Sequence, residues 1–103
     1  MAMLMRDDNY RRRYSVPGVL HPGVVDIRHL RLLLTLCSIS NPGMVMALED
    51  VLVSGLSRRE ACERNRVSQS HLSVKLRRLQ DVNQMVLRIY PYVRDEIESD
   101  RMM

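Results

Sequence analysis

A chain of 103 residues, 46% of them hydrophobic, is long enough for one modest core and too short for two. It has no Trp or Phe but eight Met, so that core must be aliphatic, with Met filling irregular gaps. A net charge of +4 and a pI near 9.6 favour an anionic partner, and no uncharged apolar run reaches the roughly 18 residues needed to cross a bilayer. Arg6, Asp7 and Asp8 interrupt the start of the chain, where a signal peptide would need an apolar run. The expected compartment is the cytoplasm.

Residues 1–23 read as a flexible basic arm. Arg11-Arg12-Arg13 is followed by Pro17-Gly18 and Pro22-Gly23, two pairs that block regular structure. The glycines of "PGVLHPG" lack the spacing and strand-to-helix setting of a phosphate-binding loop. A helical domain is expected over 24–94. From Val24 to about Ser38, Ile27, Leu30, Leu34 and Cys37 fall on one helical face, while Leu32, Leu33 and Leu36 fill another. A surface helix in a monomer needs only one apolar stripe, so a second partner surface around Leu32 and Leu36 is expected. Asn41 as N-cap and Pro42 at the first helical position start a second helix, which runs through Met44, Leu48, Val51 and Leu52 to a stop at Gly55.

Ser57 with Glu60 makes a capping box for a third helix, and Ser68 opens a fourth. Asp81 with Gln84 resembles a further capping box, which would start a fifth helix at Val82 and end it before Pro91. Leu72, Leu76, Leu79, Val86 and Ile89 equally trace one long helix, and periodicity fits both readings. The acidic tail 95–103, with Asp95, Glu96, Glu98 and Asp100, is expected to fray. The fold class is all-α, a small bundle of about five helices containing a helix-turn-helix.

No arrangement of side chains looks catalytic. Cys37 and Cys62 lie in separate apolar patterns and read as small buried thiols. His21, His29 and His71 are scattered. No metal, cofactor or small-molecule substrate is implied.

The charge excess is concentrated in "SRREACERNRVSQSHLSVKLRRL", residues 57–79. Seven Arg or Lys there face two Glu, for +5, so the rest of the chain sums to −1. A helix-turn-helix needs small or aliphatic contacts between two short helices set at a steep angle. Ala61 and Cys62 supply the small pair, Val67 plugs the corner, and Leu72, Leu76 and Leu79 form the buried stripe of the second helix. Gln69, Ser70, Ser73 and Arg77 remain on the opposite face, the layout of a recognition helix. Gln, Ser and Arg suit base edges, while Arg58, Arg59, Lys75 and Arg78 reach phosphates. Unpaired N–H groups at the helix start favour a phosphate near Ser68 and Gln69. A merely solvated basic face is the plain alternative; the caps, small pair, corner valine and leucine stripe favour DNA. Where many such turns place Leu-Gly, this chain has Asn65-Arg66. Asn tolerates the left-handed conformation, which leaves Arg66 outward, near the DNA.

"DVLVSGLSRREACERNRVSQSHLSVKLRRL", with "VMALE" before it and "LRIYPYV" after it, resembles the PapB-type regulators of bacterial fimbrial (adhesin) operons. The resemblance is carried by Ser57, Arg58, Arg59, Glu60, Cys62, Glu63 and Arg64, by Ser73, Leu76, Arg78 and Leu79, and by Pro91-Tyr92. It covers roughly residues 28–93. It implies a small helical transcription factor that binds AT-rich DNA upstream of fimbrial genes as an oligomer, with minor-groove contact. Ser68-Gln69-Ser70 replaces a more amide-rich start found among relatives.

The expected function is therefore a DNA-binding transcriptional regulator with no enzymatic step, acting on double-stranded AT-rich DNA as a homo-oligomer, at least a dimer, in the cytoplasm at the nucleoid. The alternative is an adaptor or antagonist module that holds a protein partner without binding DNA. Leu32, Leu36, Val82, Val86 and Ile89 are the expected oligomerisation residues. The competing monomer reading packs the two surplus apolar faces against each other.

Overall fold

The computed structural model describes residues 17 to 102. They form four helices, α1 Ile27–Leu36, α2 Pro42–Leu52, α3 Arg58–Asn65 and α4 Gln69–Met102, with no strand among the described residues. The expected count of about five is thus corrected to four. No helix begins at Val82, because the backbone runs unbroken through Asp81–Gln84 and through Pro91. Beyond Arg94, α4 continues through Asp95–Asp100 to Met102. At 34 residues α4 should be about 51 Å long, and the longest dimension of the molecule is 52 Å.

Local chemistry sets the helix ends. α1 starts at Ile27, three residues later than periodicity suggested, because Asp26 is extended and its carboxylate accepts the Arg28 N–H at 2.7 Å. The guanidinium of Arg28 also donates to Asp26, and this ion pair lowers the Asp26 carboxyl to about 2. α1 ends with Ser38 in the left-handed region (φ 55°), which lets the Ile39 N–H reach the Leu34 carbonyl at 3.0 Å. Asn41 caps α2 as expected, its side chain accepting the Met44 N–H at 3.0 Å.

The last carbonyls of α2 would be orphans, and the flanking chain satisfies them. Val53 N–H and Ser54 N–H donate to Glu49 O, Leu56 N–H to Asp50 O, Gly23 N–H to Val51 O and Val25 N–H to Leu52 O. The lead-in thereby crosses the α2–α3 turn, where Gly23 and Gly55 meet backbone to backbone, both at φ +79°. A Cβ on Gly23 would lie 3.2 Å from the Gly55 Cα. A side chain on either glycine would have to displace the facing backbone by a few tenths of an ångström and hold a strained positive φ.

Upstream of the crossing the lead-in is strapped to α4 by three amide side chains. Gln80 accepts the Leu20 N–H at 2.8 Å and donates to Gly18 O; Asn83 donates to Gly18 O at 3.0 Å, and Gln84 to Pro17 O at 3.3 Å. Asn83 is the one buried polar side chain among the described residues. Its oxygen lies 2.8 Å from His29 Nε2 on α1, so both ends of the amide are paired, as burial requires. Gly18 has φ +89°, and a Cβ there would sit 2.8 Å from side-chain atoms of Gln84 and Leu87.

The core is aliphatic as composition required. Leu30, Leu33, Leu48, Leu52, Leu72 and Leu79 are its largest fully buried side chains, joined by Leu34, Ala47, Val51 and the free thiols Cys37 and Cys62. α2 and α3 make the most extensive helix contact, and the first half of α4 lies across α1, α2 and α3.

Candidate nucleic-acid interface

Ser57 caps α3, accepting the Glu60 N–H at 3.1 Å. Ala61 and Cys62 are buried, so the small pair does permit close approach to the neighbouring helices. The turn differs from expectation. Asn65 stays helical and uses its side chain as a brace, donating to Asp50 on α2 and to the Ala61 carbonyl, both at 2.8 Å. Arg66 takes the left-handed conformation instead, at φ 55° and ψ 44°, which costs a non-glycine residue roughly 1–2 kcal/mol. Asn65 is worth more as a brace than as the turn residue, and Arg66 is held pointing into solvent. Val67 packs partly into the corner, and Ser68 caps α4, accepting the His71 N–H at 3.1 Å.

Leu72 and Leu79 are fully buried and Leu76 partly so. Opposite them Ser70, Val74, Arg77, Arg78 and Asp81 share one exposed face at i, i+4, i+7, i+8 and i+11. Ser73 and Gln69 flank that face, and Arg58 crosses from α3 to donate to Ser73 Oγ at 3.2 Å. Arg58, Ser73 and Arg77 thus border one groove, together with Leu20 and Pro22 of the lead-in. Lys75 sits on the other flank, in a second groove with Arg66, Ser68 and His71. Arg59 is turned toward Glu63 at 3.3 Å, an exposed pair of little energetic weight. Among the described residues Arg58, Arg66, Lys75, Arg77 and Arg78 have no carboxylate partner.

Sequence reasoning missed Val74, 62% exposed in the centre of the polar face. Its position directly opposite the leucine stripe was the available signal; an apolar side chain there suits a thymine methyl. It also missed the amide strap, whose partners are backbone atoms sixty or more residues away. Of the expected oligomerisation residues, Leu32 (68%), Leu36 (59%), Val86 and Ile89 are exposed, whereas Val82 packs partly against the core. The two surplus apolar faces do not cover each other.

The model of the family described as adhesin biosynthesis transcription regulatory protein (PapB) matches residues 5–93. The chain belongs to the PapB family. The match starts well before residue 28, so it takes in the basic run Arg11–Arg13, which lies outside the described residues. The regulatory protein FanB of Escherichia coli is 42% identical over 71 residues, covering 69% of each chain. The major pilus subunit operon regulatory protein PapB of Escherichia coli is 37% identical over 79 residues, covering 77% of this chain and 76% of that one. The crystal structure of Escherichia coli FocB superposes with a TM-score of 0.66 at 31% identity, covering 88% of this chain and 94% of that one. FanB is named a regulatory protein and PapB a regulator of a pilus subunit operon, and the family is described as transcription regulatory, so the chain is a transcription regulator of the PapB family and not an enzyme. No helix among the described residues is long and apolar enough to cross a membrane.

Proposed function

We propose that α3 and the first half of α4 act as a helix-turn-helix that binds duplex DNA at adhesin promoters, with the protein working at the nucleoid as a homo-oligomer. The observation that carries the reading is the alignment of Arg58, Ser73 and Arg77 along one groove, beside the exposed Ser70–Val74–Arg78 face and backed by buried Leu72 and Leu79. Rigid leucine packing fixes the helix, and unpaired guanidinium groups are free for phosphates and base edges. Gln69, Ser70, Ser73 and Arg77 are assigned to readout, and Arg58, Arg59, Arg66, Lys75 and Arg78 to phosphate contact. A narrow AT-rich groove with enhanced negative potential suits this density of arginine.

Exposed Leu32, Leu36, Val86 and Ile89 support self-association, with Val82 at the edge of that surface. Joining two weakly reading domains raises the occupancy of a short site by effective concentration. The same exposed leucines are what an adaptor that does not bind DNA would use.

Titration against AT-rich and GC-rich duplexes at two salt concentrations tests the reading. Binding should weaken steeply with salt, and Arg58→Ala should lower the log–log slope by about 1. Arg77→Ala should cost about 1–3 kcal/mol on the preferred site and much less elsewhere. Salt-insensitive or absent DNA binding, with a protein partner retained, would establish the adaptor reading.

A further inference from the structure

We propose that Val74 is a base-reading residue that packs against the 5-methyl group of thymine in the major groove. The inference rests on the proposed DNA binding and adds to that site a side chain with neither charge nor hydrogen-bonding group. Val74 is 62% exposed, and no other large apolar side chain is exposed between Ser57 and Gln84. Single exposed hydrophobics are ordinary on a protein surface. The place of this one is not. Val74 lines both grooves of the candidate interface, with Arg58, Ser73 and Arg77 in one and Arg66 and Lys75 in the other. It is an apolar ridge with cations on either side, and a polyanion held by both sets must lay its centre on that ridge.

The surroundings of Val74 suit a base edge better than a protein partner. No exposed apolar neighbour extends it into a patch, since Ser70 precedes it on the face and Arg77 and Arg78 follow. Ser70 and Ser73 are short, so the helix backbone can come close to a ligand. Val74 lies about 7.5 Å from the start of α4 at Gln69, in the part of a recognition helix that meets bases. Asp81 shares the exposed face about 10 Å further on, where its carboxylate repels phosphates. The DNA-facing stretch therefore ends before Asp81. Valine is a poorer helix former than Ala or Lys, and its branched Cβ holds one strongly preferred rotamer in a helix. Its two methyl groups are fixed in direction, as a contact made by shape requires.

The chemistry of the target follows from the groove. The major groove, about 12 Å wide, admits an α-helix, whereas the minor groove is only about 6 Å wide. The apolar group on the major-groove edge is the thymine methyl; the remaining groups are donors and acceptors. Valine laid over those would strip their water and return no hydrogen bond. Over a thymine it buries methyl against methyl. A preference for A·T pairs then arises from apolar contact, an origin distinct from the minor-groove contact that the family resemblance implies.

The experiment compares the full-length wild type with Val74→Ala on one AT-rich duplex and on the same duplex with every thymine replaced by deoxyuridine. That replacement removes the methyl groups and leaves charge and base pairing unchanged. Wild type should bind the uracil duplex about 4-fold more weakly for each methyl it contacts. Val74→Ala should lose most of that preference while keeping the wild-type salt slope, because no phosphate contact is lost. The four affinities form a double-mutant cycle, so a general effect of uracil on duplex shape cancels. Val74 is exposed and Ala favours helix, so the variant should melt no lower than the wild type. Equal wild-type affinity for the two duplexes overturns the proposal and leaves the DNA binding standing. An undiminished thymine preference in Val74→Ala also overturns it, because another side chain would then read the methyl. No salt-sensitive binding of the wild type to either duplex defeats the underlying reading itself.

Discussion

The two halves of α4 carry the same kind of apolar repeat and meet opposite fates. Between Gln69 and Gln84, Leu72, Leu79 and Asn83 are buried and Leu76, Gln80 and Val82 partly so, because α1, α2, α3 and the lead-in all converge there. Between Met85 and Asp100 every residue is exposed, Val86, Ile89, Tyr90, Val93 and Ile97 included. Periodicity specifies a helix and the face it would bury; it does not specify whether this chain supplies the cover. Pro91 lies in the second half and removes the donor that would bond Leu87 O. The first half is stabilised by tertiary burial; beyond Leu87, which lies against the lead-in at Gly18, the second rests on its helical bonds.

The largest test of that contrast sets Leu79→Ala against Ile89→Ala. Emptying the fully buried site should cost about 2–5 kcal/mol, whereas the exposed one should change monomer stability by no more than about 0.5 kcal/mol. Denaturant melts at two protein concentrations measure both. If Ile89→Glu changes the melt only at the higher concentration, the second half is covered by another copy. Asn83→Ala, at the boundary between the halves, comes next. It leaves His29 without its amide partner and takes from Gly18 O one of its two donors, the other being Gln80, for about 1–3 kcal/mol, and amide exchange at Leu20 should accelerate with it.

Arg66→Gly has a smaller effect of opposite sign. The native φ of 55° is strained for arginine and free for glycine, so net stability should rise by roughly 0.4–1 kcal/mol. DNA affinity should nonetheless fall if Arg66 contacts phosphate. Asp26→Asn gives the smallest change, at the exposed cap of α1. Because the folded-state pKa of Asp26 is depressed, to about 2, its contribution is complete above the unfolded value near 4 and is lost as pH falls from about 4 to about 2. The variant should flatten the acid limb of stability over that window and leave neutral pH nearly unchanged.

What was legible in the sequence was local. Asn41, Ser57 and Ser68 cap the helices they precede because a cap bonds its own next turn. Leu72 and Leu79, with partly buried Leu76, were identifiable from spacing, and Ala61 and Cys62 from their small size in the middle of α3. The errors came from signals with two physical meanings. Asp81 and Gln84 match a capping box, yet in a continuous helix Gln84 is free to bond Pro17 O. Pro91 reads as a stop, but it sits in the exposed half, where α4 continues past it. Asn65 suits a left-handed turn, but Asp50 and the Ala61 carbonyl compete for its amide and hold it in the helix. At the candidate interface residue types and faces were predictable, whereas the Arg58–Ser73 bond and the splitting of Lys75 from Arg77 depend on how α3 crosses α4.

The unbroken backbone of α4 makes it an angular gauge as well as a spacer. Arg77 and Ile89 ride on one axle, so the bearing of the exposed apolar surface relative to the polar face is set by residue count. One residue inserted after Gln84 would turn everything beyond it by about 100° while advancing it only about 1.5 Å. Seven would restore the bearing to within about 20° and displace the surface by about 10 Å. Orientation and distance can therefore be varied separately along α4, and a chain of this kind is free to evolve its length in whole heptads far more readily than by single residues.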